Sequence, residues 1–330
     1  MPEAPGSPST VGEAIRWGAA QLQSAGVETP LVDSRLLMAY ALGAAPSAKT
    51  SVEVPRIPVS TTEVFFNHDH STPGVFADWI RQRTQRIPAQ HIVGAAVFDG
   101  VDFLCHPGGF IPRPETELLV DWAFHEALRR AKIHRDEATN SDDSSPCISV
   151  VDLCTGPGSI ALALACRFSD ATQNALITGI ELHEAALRLA RDNEAQLRHR
   201  GLISDNVEVR FLRCDLLDVE EVRKLPMGAS PDVIVSNPPY VPTSAPVSAE
   251  VLHDPSDAVF AGSDGMDFLP GLLGALGIIA GGEEVGVGIE HDDANGAATV
   301  RALEEAGARV VEQHRDVAGR DRFVTGTWHS

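Results

Sequence analysis

The chain is short of positive charge. Among its 330 residues, 26 are Lys or Arg and 46 are Asp or Glu, a formal net charge of −20. That balance opposes non-specific attraction to nucleic-acid phosphates, and no long basic segment is present to offset it. Direct DNA binding is therefore not expected. Cysteine is also scarce. Cys105, Cys147, Cys154, Cys166 and Cys214 form no Cys-x-x-Cys pair, and their odd number argues against a disulfide framework, so a reducing, cytoplasmic setting is expected. The first ten residues have neither a basic nor an apolar region of the kind that makes a signal peptide. The longest apolar stretch, Phe268 to Ala280, is too short to cross a bilayer and carries Pro270; it predicts a core helix and no membrane association. His68-Asp69-His70 and His291-Asp292-Asp293 lack further ligands at a suitable spacing, which favours solvated loops and no metal. No internal repeat is found.

What is present fits a core domain with a smaller one before it. Thr10-Val11-Gly12-Glu13 reads as a capping box, after which Val11, Ile15, Ala19 and Leu22 recur at helical spacing until Gly26. A second helix is expected from about Pro30 to Gly43, and a third from Val75 to Arg86. Arg81, Arg83 and Arg86, at the end of the third, read as a solvated, dipole-favoured terminus, the alternative being a contact with an acidic or nucleic-acid partner. The Pro-, Ser- and Thr-rich stretch 44–74 yields no assignment. After Pro88, loose alternation from His91 to Phe103 around Asp99-Gly100 predicts a β-hairpin. Ile111-Pro112-Arg113-Pro114-Glu115-Thr116-Glu117 reads as the start of a helix running to about Lys132, and Asp136 to Pro146 as a polar loop. The expected division is a helical domain over 1–90, a hairpin linker over 91–113 and an α/β domain over 114–330.

Beyond that loop the pattern becomes strand and helix in alternation. Ile148–Leu153, Ala175–Glu181, Val207–Cys214, Asp232–Ser236 and Val285–Glu290 are strand candidates. Alternation of this kind implies a parallel sheet covered on both faces, and a closing antiparallel pair is expected around Ala308–Val311 and Arg322–Trp328.

The chemistry-bearing residues gather at the ends of those strands. Thr155-Gly156-Pro157-Gly158 follows the first, where glycines let a ligand approach the backbone; the third glycine of the dinucleotide fingerprint and the P-loop Lys are both missing. Glu181 ends the second strand, at the distance where an acid accepts from ribose hydroxyls, a cap of the following helix being the plain alternative. Asp215 follows the third, either as a partner for an adenine amino group or as a helix N-cap. Asn237-Pro238-Pro239-Tyr240 follows the fourth. Its prolines fix φ and donate no N–H, so an amide or exocyclic amine could give its two N–H bonds to the Asn237 side chain and the Pro238 carbonyl while Tyr240 stacks on it. A turn that merely ends a strand is the plain alternative. Cys154 reads as a small packing residue.

Taken with Arg86-Ile87-Pro88-Ala89-Gln90-His91, Ile111 to Glu117 and Asp316-Val317-Ala318-Gly319-Arg320-Asp321-Arg322, these stretches resemble the HemK/PrmC family of peptide chain release factor N5-glutamine methyltransferases over most of the chain. The resemblance implies a seven-stranded Rossmann-like domain dependent on S-adenosyl-L-methionine, preceded by a small helical domain and a β-hairpin linker. It implies as substrate the glutamine of the Gly-Gly-Gln motif in class 1 release factors. It assigns the cofactor to Thr155, Gly156, Gly158, Glu181, Asp215, Leu216 and Asn237, the substrate to Asn237, Pro238, Pro239 and Tyr240, and catalysis to Asn237, Pro238 and Tyr240. Cys154, Pro157, Glu181 and Leu216 depart from the residues usual in the family. Because Asn-Pro-Pro-Tyr is shared with amine methyltransferases of nucleic acids, transfer to adenine N6 or guanine N2 is the alternative.

Overall fold

A computed structural model of the chain describes residues 8–43, 52–137, 147–228 and 230–329. It divides into two compact units. The first takes the described residues up to Val97 together with Asp102–Pro107 and Val247–His253; the second takes Phe98–Val101, Gly108–Pro246 and the described residues from Asp254 onward.

In the first unit, helices α1 (Val11–Ser24), α2 (Pro30–Leu42), α3 (Thr61–Phe66), α4 (Phe76–Thr84) and α5 (Ala89–Val93) bury a core that includes Leu22, Leu37, Phe76 and Ile80. The capping box is formed: Thr10 Oγ1 accepts from the Glu13 N–H, and the Glu13 carboxylate accepts from the Thr10 N–H. Residues 91–93, expected in a hairpin strand, instead complete α5, which Gly94 ends at φ 72°. The hairpin itself, β1 (Ala95–Phe98) and β2 (Val101–Leu104), begins after that glycine and turns at Asp99 and Gly100, both with positive φ. Within the 44–74 stretch, α3 is the one helix among the described residues, and 44–51 lie outside them.

The end of α4 is not a solvated terminus. Only Arg81 is exposed; Arg83, 5% accessible, gives a hydrogen bond from Nε to Asp33 Oδ2 at 2.7 Å and pairs with Glu250 Oε1 at 2.7 Å. Arg86 clasps both oxygens of Glu250 at 2.7 Å. The sequence could not disclose this, because the anion comes from 164 residues further along the chain, in the Val247–His253 segment.

The second unit opens with a 3-10 turn, Pro114–Thr116, leading into α6 (Glu117–Glu137), one turn longer than the apolar pattern indicated. Most of the loop expected over Asp136 to Pro146 lies outside the described residues. There follow β3 (Ile148–Leu153), α7 (Ser159–Asp170), β4 (Ala175–Glu181), α8 (Glu184–His199), β5 (Val207–Arg213), α9 (Val219–Arg223), β6 (Val233–Ser236), α10 (Leu269–Ala280), β7 (Val285–Glu290), α11 (Gly296–Glu305), β8 (Arg309–Arg315) and β9 (Asp321–Trp328). The sheet has seven strands in the order β5-β4-β3-β6-β7-β9-β8. β3 to β7 run parallel, and β9 is antiparallel to both β7 and β8, forming the closing pair.

The α/β class and the strand segments agree with the sequence reading. β6 is short and wholly buried, as expected of a central strand between helical layers. α10 is apolar on all sides and sits in the core with Leu272, Leu276 and Ile279; no helix among the described residues is long and apolar enough to cross a membrane. The chain winds outward from β3 in one direction and from β6 in the other, so the crevice at the C-terminal ends of β3 and β6 is the switch point, where open α/β sheets bind ligands.

Candidate functional site

A cavity of about 410 Å³, the size of a small-molecule site, lies at that switch point and within the second unit. From β3 it receives Cys154, Thr155, Gly156 and Pro157; from β4, Glu181 and His183; from β5, Asp215 and Leu216; from β6, Asn237 and Pro239.

The turn after β3 is fixed from beneath. Thr155 Oγ1 donates to Asp152 Oδ2 at 2.5 Å, and the Ala161 N–H donates to the same oxygen at 3.2 Å. Burial pushes the Asp152 carboxyl up to about 7, although both bonds favour its charge. Asn193 Nδ2 donates to the Pro157 carbonyl at 3.2 Å. Gly156 and Gly158 have φ of 56° and 82°, the left-handed region, and a side chain at Gly156 would meet no atom within 4 Å: its vacant side faces open space. Gly158 does not line the cavity. Its missing side chain makes room for Leu162, Phe211 and Ala190, so its role is to let the turn pack. Cys154 shares the strained region at φ 59°, and burial first, then Glu181, hold its thiol well above the ordinary range, which leaves it inert.

Glu181 joins the turn after β3 to the start of α8. Its Oε1 accepts from the His183 N–H at 3.0 Å, as a cap of α8 would, and its Oε2 accepts from the Gly156 N–H at 3.0 Å. Each carboxylate oxygen keeps acceptor capacity toward the cavity. Asp215 makes its own turn, with Oδ1 accepting from the Leu217 N–H at 2.9 Å. His183 Nε2 and Asp257 Oδ2, both lining residues, meet at 2.7 Å.

Asn237 is held by its neighbours in sequence and in the sheet. The Ser236 hydroxyl donates to the Leu153 carbonyl at 2.8 Å, tying the end of β6 to the end of β3. Beyond the turn, the Val241 N–H donates to Val259 at 2.9 Å and the Ala261 N–H to Val241 at 2.9 Å. Asn237 Nδ2 donates to Thr116 Oγ1 at 3.2 Å, leaving Oδ1 as its free acceptor. Pro238 is buried, and neither it nor Tyr240 lines the cavity. The Tyr240 hydroxyl instead donates to Glu290 Oε1 at 3.2 Å; burial, followed by the neighbouring charge of Glu290, raises its pKa strongly.

Gly265 supports this turn directly. At φ 80°, an added Cβ would stand 2.1 Å from the Tyr240 carbonyl oxygen and 2.9 Å from Asn295 Nδ2. Gly265→Ala is expected to destabilise the second unit by about 1–3 kcal/mol and to displace the turn. Thermal unfolding together with turnover checks this; a parent-like midpoint with parent-like turnover would separate Gly265 from the turn.

Several lining residues escaped the sequence reading: Phe98, Phe110, Asp257, Phe260 and Phe268. Phe98 ends β1, Phe268 caps the start of α10, Asp257 lies in a 3-10 turn, and Phe110 and Phe260 lie between elements, so none of them follows a parallel strand. Thr116 and Glu290 had a signal that went unused, since one lies inside the Ile111 to Glu117 segment and the other is a carboxylate ending a wholly buried strand.

Residues 13–94 match the PrmC N-terminal domain. The chain is 33% identical to the release factor glutamine methyltransferase of Corynebacterium glutamicum over 96% of its own length and 98% of that protein's. It belongs to the release factor glutamine methyltransferase family. The relative from Mycolicibacterium smegmatis bearing the same name is 35% identical, with 95% of this chain and 96% of that one covered. A 4-amino-L-phenylalanine/4-methylamino-L-phenylalanine methyltransferase of Streptomyces pristinaespiralis is 34% identical, over 79% of this chain and 76% of that protein.

Proposed function

We propose that the protein transfers a methyl group from S-adenosyl-L-methionine to the side-chain amide nitrogen (N5) of the glutamine in the Gly-Gly-Gln motif of class 1 peptide chain release factors, in the cytoplasm. The observation that carries this is Asn237: it lines the cavity with its Nδ2 already bonded to Thr116, so its remaining polar atom is an acceptor for an N–H. Relatives aligned over nearly the whole chain and named for this reaction support the substrate class.

The cavity fits the cofactor. Gly156 offers backbone with open space before it, Glu181 offers acceptors for vicinal hydroxyls, Asp215 stands where an amino group would meet it, and Leu216, Phe260 and Phe268 give apolar faces for a planar base. When bound, S-adenosyl-L-methionine supplies a methyl group on a cationic sulfur. The chain's part is orientation. An amide nitrogen is a weak nucleophile because its lone pair is delocalised into the carbonyl. Asn237 Oδ1 would accept one amide N–H, aiming the lone pair out of the amide plane, and this fixed polar geometry would supply most of the acceleration. Pro239, in the same rigid turn, limits its freedom to move.

Glu181→Ala is expected to weaken cofactor binding by about 1–3 kcal/mol, the cost of removing a charged acceptor. Calorimetric titration measures it, and unchanged affinity in the folded variant would remove Glu181 from the site. The function itself is tested by incubating the chain with labelled S-adenosyl-L-methionine and, in separate reactions, a class 1 release factor, total nucleic acid and 4-amino-L-phenylalanine. Label is expected in the release factor; label confined to either of the others would transfer the reading to an amine.

A further inference from the structure

An asparagine can serve an amide substrate as acceptor only when its amide is turned the right way, with Oδ1 toward the substrate and Nδ2 away. Asn237 Nδ2 donates to Thr116 Oγ1 at 3.2 Å. Thr116 can accept there only if its own hydrogen goes elsewhere, and the Glu290 carboxyl, whose charge the Thr116 hydroxyl favours, is beside it. Glu290 accepts from the Tyr240 hydroxyl at 3.2 Å. It ends β7, is 1% accessible, and its Oε2 has no hydrogen-bond partner among the described residues. We infer that Glu290 is a positioning residue for methyl transfer: as a carboxylate it can only accept, so it draws the hydroxyl hydrogens of Thr116 and Tyr240 toward itself, leaves Thr116 to accept from Asn237, and so turns Asn237 Oδ1 to the substrate amide. This rests on the reading of Asn237 as the acceptor of a glutamine N–H.

A carboxylate in this place is a poor choice for stability alone. Burial drives the Glu290 carboxyl up to about 7; Thr116, Arg322 and Tyr240 pull it down, and Glu115 adds to the rise. The groups that face it are Glu115 and Thr116 on the 3-10 turn, Tyr240 after β6 and Arg322 on β9. Because the folded value lies above the ordinary 4.5, its contribution to stability is full below about 4.5 and is lost as pH rises through about 7. A neutral glutamine of the same shape removes that cost. It also supplies an N–H that can donate to Thr116, reversing the chain of donors and freeing Asn237 to flip.

The test is therefore a variant at least as stable as the parent yet slower. For Glu290→Gln we expect an unfolding midpoint at pH 8 no lower than the parent's, unchanged affinity for S-adenosyl-L-methionine, and a kcat for release-factor methylation lower by about 10–100-fold. The parent's kcat should fall as pH drops below about 7, where Glu290 takes up its proton, and the variant should lack that limb. A second readout needs no substrate: in the full chain labelled with 15N-asparagine, the Asn237 side-chain amide resonances should move in Glu290→Gln and in Thr116→Val. If the parent fails to methylate the release factor but those resonances move in both variants, the substrate reading fails and the orienting role of Glu290 stands. Parent-like kcat in Glu290→Gln, or Asn237 resonances unmoved in both variants, would overturn the inference.

Discussion

Asn237→Ala should lower turnover by about 10²–10³, the usual effect of removing one preorganised polar contact at a reacting centre. Its stability should change far less, by about 1 kcal/mol, the net worth of the bond it gives Thr116. The turn survives because Pro238 and Pro239 fix the backbone, the Ser236 hydroxyl holds Leu153, and the Val241 and Ala261 N–H groups are engaged. Asn237→Asp is a sharper probe. It retains size and an acceptor, but its second oxygen faces Thr116 where Asn237 presents the donor Nδ2. Cofactor binding should persist, since a carboxylate tolerates a nearby cation, while methylation stays poor. Steady-state kinetics beside calorimetry and unfolding midpoints separate these effects, and parent-like turnover in folded Asn237→Ala would return the turn to a purely structural role.

The second large effect lies in the first unit. Arg83→Met should destabilise it by about 3 kcal/mol, because the buried guanidinium is shared by Asp33 and Glu250 and its loss leaves the Asp33 carboxylate with the Thr29 hydroxyl as its remaining hydrogen-bond donor among the described residues. Amide exchange over 247–253 should accelerate, since this segment is held through Glu250. Acid should reproduce part of the effect. Burial opposes the charge on Glu250, but hydrogen bonds from Arg86 and Arg83 outweigh it and hold the carboxyl down at about 2. A folded value below the ordinary 4.5 gives stability that is full above about 4.5 and lost as pH falls toward 2. Exchange of 247–253 followed across that window should speed up in the parent and be fast throughout in Arg83→Met; slow exchange in the variant at neutral pH would contradict the clasp.

Local chemistry made much of this legible from sequence. The five parallel strands appear as short apolar runs, and the site residues sit at or just after their ends, from Glu181 in the last position of β4 to Gly156 three past β3, because ligands gather at the carboxyl ends of a doubly wound sheet. The capping box at Thr10 and the turn at Asp99-Gly100 are likewise properties of a few adjacent residues. What sequence concealed depends on distance along the chain. Arg83 and Arg86 look like a solvated helix end until Glu250 is brought to them. Tyr240 looks like a free aromatic face until Glu290, 50 residues on, takes its hydroxyl. Thr116 precedes Asn237 by 121 residues, and nothing in the spacing couples them. The aromatic lining comes from the hairpin (Phe98), the cap of α10 (Phe268) and loops (Phe110 and Phe260), and no periodicity in the sequence gathers these at one cavity.

The central claim, transfer to a glutamine amide held by Asn237, is tested most directly by peptide mass spectrometry of a class 1 release factor after incubation with S-adenosyl-L-methionine and either the parent chain or Asn237→Ala. The account predicts one added methyl group, localised by fragmentation to the glutamine of Gly-Gly-Gln, with the parent and almost none with Asn237→Ala. An unmodified glutamine with the active, cofactor-binding parent, or a methyl group on any other residue, would contradict it.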